Sequence, residues 1–169
     1  MNRIIEDCLE LLDGVSSSIR LKRGTVVSAE IMQSAYFLGW IHGFVTSNVV
    51  WRCMYKFDKP TMGFTIDGVL NSYFGEDADE KIERIESLLS NQNPEFLEGL
   101  DKGKVVADVI AGEIPERHPI VNAARKKLRE WGHDPDAREN TGRFFGVLVK
   151  VSLEDYFAPD WHKKSINIE

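Results

Sequence analysis

Polar residues inside the most apolar stretch of the chain are the first candidates for chemistry. His42 and Asn48 interrupt the apolar run from Tyr36 to Val50. A neutral imidazole can exchange a proton, and an amide can orient a small molecule through its hydrogen bonds. With Asp67, these residues suggest a small-ligand-binding or hydrolytic domain with a pocket beside a central helix. A structural role in the helix core is the alternative for the imidazole.

A second group of possible ligands lies in one polar loop. An imidazole together with carboxylates suits a divalent metal ion. Polar residues at helix ends more commonly cap the helix, so we predict neither a metal site nor a cofactor. The sequence also has no phosphate-binding glycine loop, paired-cysteine motif, nucleophile elbow or HExxH motif, which disfavours a standard enzyme. The loop residues in question are His133, Asp134, Asp136 and Glu139.

The net charge of −6 is concentrated in one segment of the chain. Residues 76–101 carry nine acidic and two basic side chains. Such a surface repels nucleic acid and attracts a protein with a basic surface. An exposed aromatic residue could anchor the same interface. The predicted partner-binding residues are Glu76, Asp79, Glu83, Glu86, Glu95, Glu98 and Trp161.

The glycines of two similar stretches indicate how the central elements pack. Residues 36–50 and 96–110 share an aromatic residue followed by two glycines four residues apart, at a constant offset of sixty residues. In a helix this spacing places both glycines on one face, where another backbone can approach closely. The pattern predicts an internal helical duplication, packed within one chain or between two chains of a homodimer. The predicted packing residues are Gly39, Gly43, Gly99 and Gly103.

The remaining periodicity predicts a mainly α fold. Amphipathic patterns and capping residues indicate helices over residues 2–13, from residue 28, over residues 77–90, and from Pro94 and Pro119. The aromatic and β-branched segment Phe144–Val151 predicts a strand, which could pair with Ile19–Val27 or with residues 51–57. Residues 49–57 fit a helix and a strand equally. We therefore predict a compact bundle of five or six helices with a small antiparallel β element, or alternatively an α+β fold with a three-stranded sheet.

Length and composition indicate one globular domain over residues 1–169. The longest apolar run is shorter than the roughly 20 residues that a membrane-spanning helix needs, so we expect no membrane segment. Acidic residues near the N-terminus are atypical of a secretory signal, which favours a cytoplasmic protein. In that reducing environment Cys8 and Cys53 are expected to be free thiols.

One known family has a similar pattern in the middle third of the chain. The helix that contains Tyr36, Gly39 and Gly43, the loop at residues 60–61 and the aromatic pair at residues 73–74 resemble the small helical immunity proteins that neutralise type VI secretion amidase effectors. The resemblance implies a protein that blocks a partner. We therefore predict a non-catalytic, protein-binding inhibitor of the immunity or anti-defence type, which acts through its acidic helical surface.

Overall fold

Helices contain most of the residues that the structure describes. A computed structural model describes residues 2–23, 29–53 and 56–157, without the side chains of residues 17–23. The prediction of a mainly α fold is confirmed. The helices are α1 (Asn2–Arg23), α2 (Ala29–Gln33), α3 (Ala35–Cys53), α4 (Lys59–Phe74), α5 (Ala78–Ser90), α6 (Pro94–Ile110), α7 (Pro119–Glu130) and α8 (Thr141–Val149), with 3₁₀ turns at Gly75–Asp77 and Arg138–Asn140 and a π-helical turn at Lys150–Glu154.

The predicted strand Phe144–Val151 is wrong, because this segment forms α8 and the start of the π-helical turn. Its aromatic and β-branched residues favour a strand only weakly, and tertiary packing overrides such propensities. Phe144, Val147 and Leu148 lie at helical spacing, and all three side chains are buried. One helical face can therefore cover the same apolar residues that an alternating strand would have divided between two faces.

The proposed partners of that strand are not strands either. Residues 19–23 belong to α1, and residues 51–53 form the end of α3. Residues 24–28 and 54–55 lie outside the described part of the chain. Within residues 2–23, 29–53 and 56–157 the structure has no strand, so the β element and the three-stranded sheet are wrong for these residues.

Local side-chain hydrogen bonds explain where several helices begin. The Asp58 carboxylate accepts a hydrogen bond from the Thr61 backbone at 3.0 Å at the start of α4, and the Asn93 side chain accepts one from Phe96 at 3.0 Å at the start of α6. These are N-cap interactions, which satisfy backbone donors that the helix leaves unpaired. Ser34 separates α2 from α3, since its hydroxyl accepts from the Phe37 backbone at 3.2 Å. The predicted continuous helix from residue 28 is thus divided at that serine.

The chain consists of two compact units, Met1–Ile114 and Pro115–Glu169. The first unit contains α1 to α6, and α3 contacts each of the other five helices. Whether the two units behave as the single domain expected from length stays a prediction. In the second unit α7 packs on α8. The amino groups of Lys127 and Lys150 both donate to the Asp155 carboxylate, the latter at 2.9 Å.

The most intimate contact of the first unit joins α3 to α6 through glycine. A Cβ atom added to Gly39 would lie 2.0 Å from the Phe96 carbonyl oxygen, and one added to Gly43 would lie 2.1 Å from that of Leu100. From the first contact to the second, the chain advances by four residues in both helices, so α3 and α6 run parallel. At this separation a glycine hydrogen points at the opposite carbonyl oxygen, which is a Cα–H···O contact.

The contacts are reciprocal, as the sixty-residue offset requires. A Cβ atom on Gly99 would lie 2.0 Å from the Tyr36 carbonyl oxygen, and one on Gly103 would lie 2.0 Å from that of Trp40. Each contact of one helix is therefore repeated by the other helix, which gives the pair an approximate two-fold relation. The glycine faces meet within one chain, so they provide no surface for a homodimer.

We expect Gly43→Ala to destabilise the first unit, because its new methyl group would meet the backbone of α6 rather than a movable side chain. The loss should be about 3 kcal/mol of unfolding free energy, measured by urea denaturation. Gly63→Ala is the matched control, since nothing lies within 4 Å of a Cβ atom at that position in α4. The control should stabilise the protein by about 0.5–1 kcal/mol. Equal effects of the two substitutions would contradict the close backbone contact.

Candidate functional site

A pocket of about 180 Å³ lies beside the glycine contact, between α3 and α6. It is contained in the first unit. Most of its wall is apolar, with hydroxyl, imidazole and amino groups on lining side chains. The lining residues are His42, Gly43, Thr46, Ser47 and Val50 from α3, and Leu100 and Lys104 from α6.

Two polar atoms of the pocket residues are buried without a hydrogen-bond partner among the described residues. They are Nδ1 of His42 and Oγ1 of Thr46, which lie one helical turn apart. Burial lowers the pKa of His42, and the nearby charge of Asp67 opposes this shift only in part. The imidazole is therefore neutral at pH 7, and its Nδ1 atom can either donate or accept one hydrogen bond.

The other two residues of the predicted ligand site do not line this pocket. Asp67 is exposed on α4, where it acts on His42 only through its charge. Asn48 is buried on α3, and its side-chain oxygen accepts a hydrogen bond from Arg52 at 3.2 Å. The same arginine forms an ion pair with Asp7 of α1 at 2.7 Å. Of the predicted ligand-binding residues, the pocket thus contains His42.

A half-buried carboxylate near the pocket joins α3 to α6. Asp108 accepts hydrogen bonds from the Ser47 hydroxyl at 2.5 Å, the Trp51 indole at 2.8 Å and the Lys104 amino group at 3.1 Å. Burial acts to raise the pKa of Asp108, but the three hydrogen bonds outweigh it and hold the pKa below its usual value. Asp108 is not among the residues predicted from the sequence, although a lone carboxylate within the apolar stretch 105–110 is a usable signal.

The same network bears on the hydrolytic hypothesis. Nucleophilic catalysis by serine needs a base within hydrogen-bond reach of the hydroxyl. The Ser47 hydroxyl donates to Asp108, and no hydrogen bond joins it to an imidazole in the described part of the chain. The thiols offer no alternative, since Cys8 and Cys53 are buried and burial raises the pKa of Cys8 to about 11. A hydrolytic activity stays a prediction without a supporting contact.

The acidic side chains of the first unit project into solvent. Those of Glu83 and Glu86 on α5 have no ion-pair partner among the described residues, and Glu98 on α6 pairs with Lys102. Two exposed apolar side chains occur in the same acidic stretch of sequence. Leu89 is 44 % exposed and Leu97 is 37 % exposed. The exposed predicted residues are Glu76, Asp79, Glu83, Glu86 and Glu98, while Glu95 is half-buried and Trp161 lies outside the described residues.

The polar loop of the second unit is closed by its own hydrogen bonds. The Asp134 carboxylate accepts from the Asp136 backbone at 3.0 Å, and Asp136 also forms an ion pair with Arg125 at 3.3 Å. Within the described ranges no three His, Cys, Asp or Glu side chains converge as metal ligands. The loop residues His133 and Glu139 therefore do not complete a metal site with these carboxylates.

Comparisons with protein-family models, curated proteins and solved structures find no match for this chain. The resemblance to immunity proteins thus depends on the sequence pattern alone. Among the described residues, no helix combines the length and the apolar composition that a transmembrane segment requires.

We expect Asp108→Asn to lower the unfolding free energy by about 2 kcal/mol at neutral pH, because it removes a charged acceptor of three hydrogen bonds. The substitution should also weaken the dependence of stability on pH. The folded pKa of Asp108 is lowered, so its stabilising contribution is complete above the unfolded pKa of about 3.9 and is lost as pH falls through the folded value.

Urea denaturation between about pH 6 and pH 3 measures both effects. Asp13→Asn, at an exposed position of α1, is the matched control and should keep the wild-type pH profile. Some pH dependence should persist in Asp108→Asn, since the pKa of Asp155 is also lowered by its two lysines despite burial, which acts in the opposite direction. An unchanged profile for Asp108→Asn would contradict the role assigned to its charge.

Proposed function

We propose that this protein is a non-catalytic, protein-binding inhibitor of the immunity or anti-defence type. In this proposal it binds a partner with a basic surface through acidic side chains of the 3₁₀ turn at Gly75–Asp77, of α5 and of α6. We call these side chains the acidic surface. The observation that supports the proposal is that most of its carboxylates are exposed and, apart from Glu98, lack ion-pair partners among the described residues. The acidic surface consists of Glu76, Asp79, Glu83, Glu86, Glu95 and Glu98.

Unpaired, exposed carboxylates produce a negative potential that extends beyond contact distance. Such a potential accelerates the encounter with a positively charged partner and selects against negatively charged ones. Nucleic acid is therefore not the proposed partner. The effect depends on salt, because dissolved ions screen charges beyond roughly 10 Å at about 0.1 M ionic strength.

Charge alone contributes little affinity at an exposed interface. Stable protein interfaces also need apolar side chains that become buried on binding. Leu89 lies three residues after Glu86, on the same face of α5, and Leu97 directly precedes Glu98 in α6. These half-exposed leucines are the proposed apolar contacts within the acidic surface.

The sequence resemblance supports the same function, since proteins of that immunity family neutralise a partner by binding it. A cytoplasmic location is part of the proposal, and the two free, buried thiols are compatible with a reducing environment. A homodimer stays a prediction that would need a surface other than the glycine faces.

The proposal predicts that purified protein will retain one host protein from lysate at low salt and release it at high salt. The Glu83→Lys/Glu86→Lys variant should lose this protein, because it reverses two unpaired charges at exposed positions of α5. Glu130→Lys/Glu139→Lys is the matched control, which changes the net charge equally at exposed positions of the second unit. Pull-down with mass spectrometry, followed by titration of the recovered protein, measures the difference.

The control variant should keep wild-type affinity, whereas the α5 variant should bind about tenfold more weakly or worse. Equal binding of both variants would contradict a role for the acidic surface. Equal weakening by both would indicate a response to total charge rather than to this surface. Thermal unfolding of each variant shows whether a loss of binding reflects a loss of structure.

A further inference from the structure

The two-fold relation between α3 and α6 gives the helix pair two equivalent grooves, one on each side of the glycine contact. The sixty-residue offset relates Leu100 and Lys104, which line the pocket, to Trp40 and Phe44. These aromatic rings stack with centroids 5.1 Å apart and an interplanar angle of 9°, and both side chains are fully buried. One groove is therefore filled by aromatic rings of the chain itself. In the other groove the equivalent positions hold Leu100 and Lys104, whose side chains are smaller or more flexible. That groove contains the pocket.

The pocket differs from the filled groove in polarity as well as in volume. Under the sixty-residue offset, Thr46 of the pocket corresponds to Val106 of the filled groove, and Ser47 corresponds to Ala107. A buried hydroxyl without a hydrogen-bond partner destabilises the folded state, so an apolar residue at position 46 would be more stable. Both residues line the pocket, so rotation about the side-chain bonds of Thr46 or a flip of the His42 ring could present an unpartnered polar atom to a bound molecule. A ligand hydroxyl could then donate to one of these groups and accept from the other.

The charges around the pocket are balanced. Lys104 forms an ion pair with Asp108 at 3.1 Å, and the imidazole of His42 is neutral. A charged ligand would therefore lose hydration without gaining an unpaired opposite charge in the pocket. The occupant that suits these walls is uncharged.

The volume suits one aromatic ring. An apolar protein cavity of about 150 Å³ accommodates benzene. The pocket, at about 180 Å³, has room for such a ring and a small substituent. Val50 and Leu100 supply apolar surface on opposite helices, and Gly43 leaves space between them.

We propose that this pocket binds a small, uncharged aromatic molecule that carries a hydroxyl group. The ring occupies the space that is equivalent to the Trp40–Phe44 stack, and the hydroxyl bonds to Thr46 and His42. This site is separate from the acidic surface, so the proposal goes beyond protein binding and does not depend on it.

Phenol, benzene and benzoate are the probes that test the chemistry, each titrated into the full chain and followed by two-dimensional amide NMR. Phenol should shift the resonances of Gly43, Thr46 and Leu100. It should bind about tenfold more tightly than benzene, which has no hydroxyl, and more tightly than benzoate, which is charged.

Two variants separate the contributions of shape and hydrogen bonding. Leu100→Trp introduces into the pocket the side chain that Trp40 provides in the filled groove, and it should weaken phenol binding by about tenfold or more. Phe64→Trp, at an exposed position of α4 that does not line the pocket, should leave phenol binding unchanged. Thr46→Val should abolish the preference for phenol over benzene while benzene binding persists, and it should raise the melting temperature.

Three results would overturn the proposal. Phenol could leave the pocket resonances unshifted, or benzene could bind wild-type protein as tightly as phenol does. N-acetyltyrosinamide could bind about tenfold more tightly than phenol, which would assign the pocket to a tyrosine side chain of a partner protein instead. Thr46→Val keeps the test decisive if Leu100→Trp fails to fold, because valine has nearly the same shape as threonine.

Discussion

The backbone contact between α3 and α6 is the constraint on which the first unit depends. Four glycines remove every Cβ atom from the line where the helices touch, so carbonyl oxygens take the space that side chains usually occupy. Neighbouring side chains must then lie in the grooves on either side of that line. Trp40 and Phe44 fill one groove with stacked rings, and the other groove keeps an open pocket. The close contact thus determines both the core and the cavity.

The two similar helices use equivalent positions for different polar contacts. Asn48 and Asp108 are related by the sixty-residue offset. The side-chain oxygen of Asn48 accepts from Arg52, and Arg52 forms an ion pair with Asp7 of α1. Asp108 instead accepts hydrogen bonds from Ser47 and Trp51 of the partner helix α3. A carboxylate in an apolar interface is stable only when donors surround it. Its three donors satisfy this condition, and one of them, Lys104, also balances its charge beside the pocket.

The sequence was informative where local spacing determines structure. Glycine spacing indicated which helix faces meet, and Asn93 followed by proline indicated the start of α6. The strand at residues 144–151 was predicted wrongly because β-branched composition does not reveal whether buried residues share one helical face. His42 was recognisable as a polar residue in an apolar run. Thr46 and Lys104 were not recognisable as pocket residues. Whether they line the pocket depends on how α3 aligns with α6, and the periodicity of a single helix carries no information about that alignment.

The geometry of α6 keeps the acidic surface distinct from the pocket. Successive residues of a helix are rotated by about 100°, so side chains two positions apart point in nearly opposite directions. Glu98 pairs with Lys102, whose amino group lies 5.2 Å from the centre of the Tyr36 ring. Lys104, two residues later, lines the pocket and pairs with Asp108. One helix can therefore present long-range charge on one side and a short-range, neutral pocket on the other.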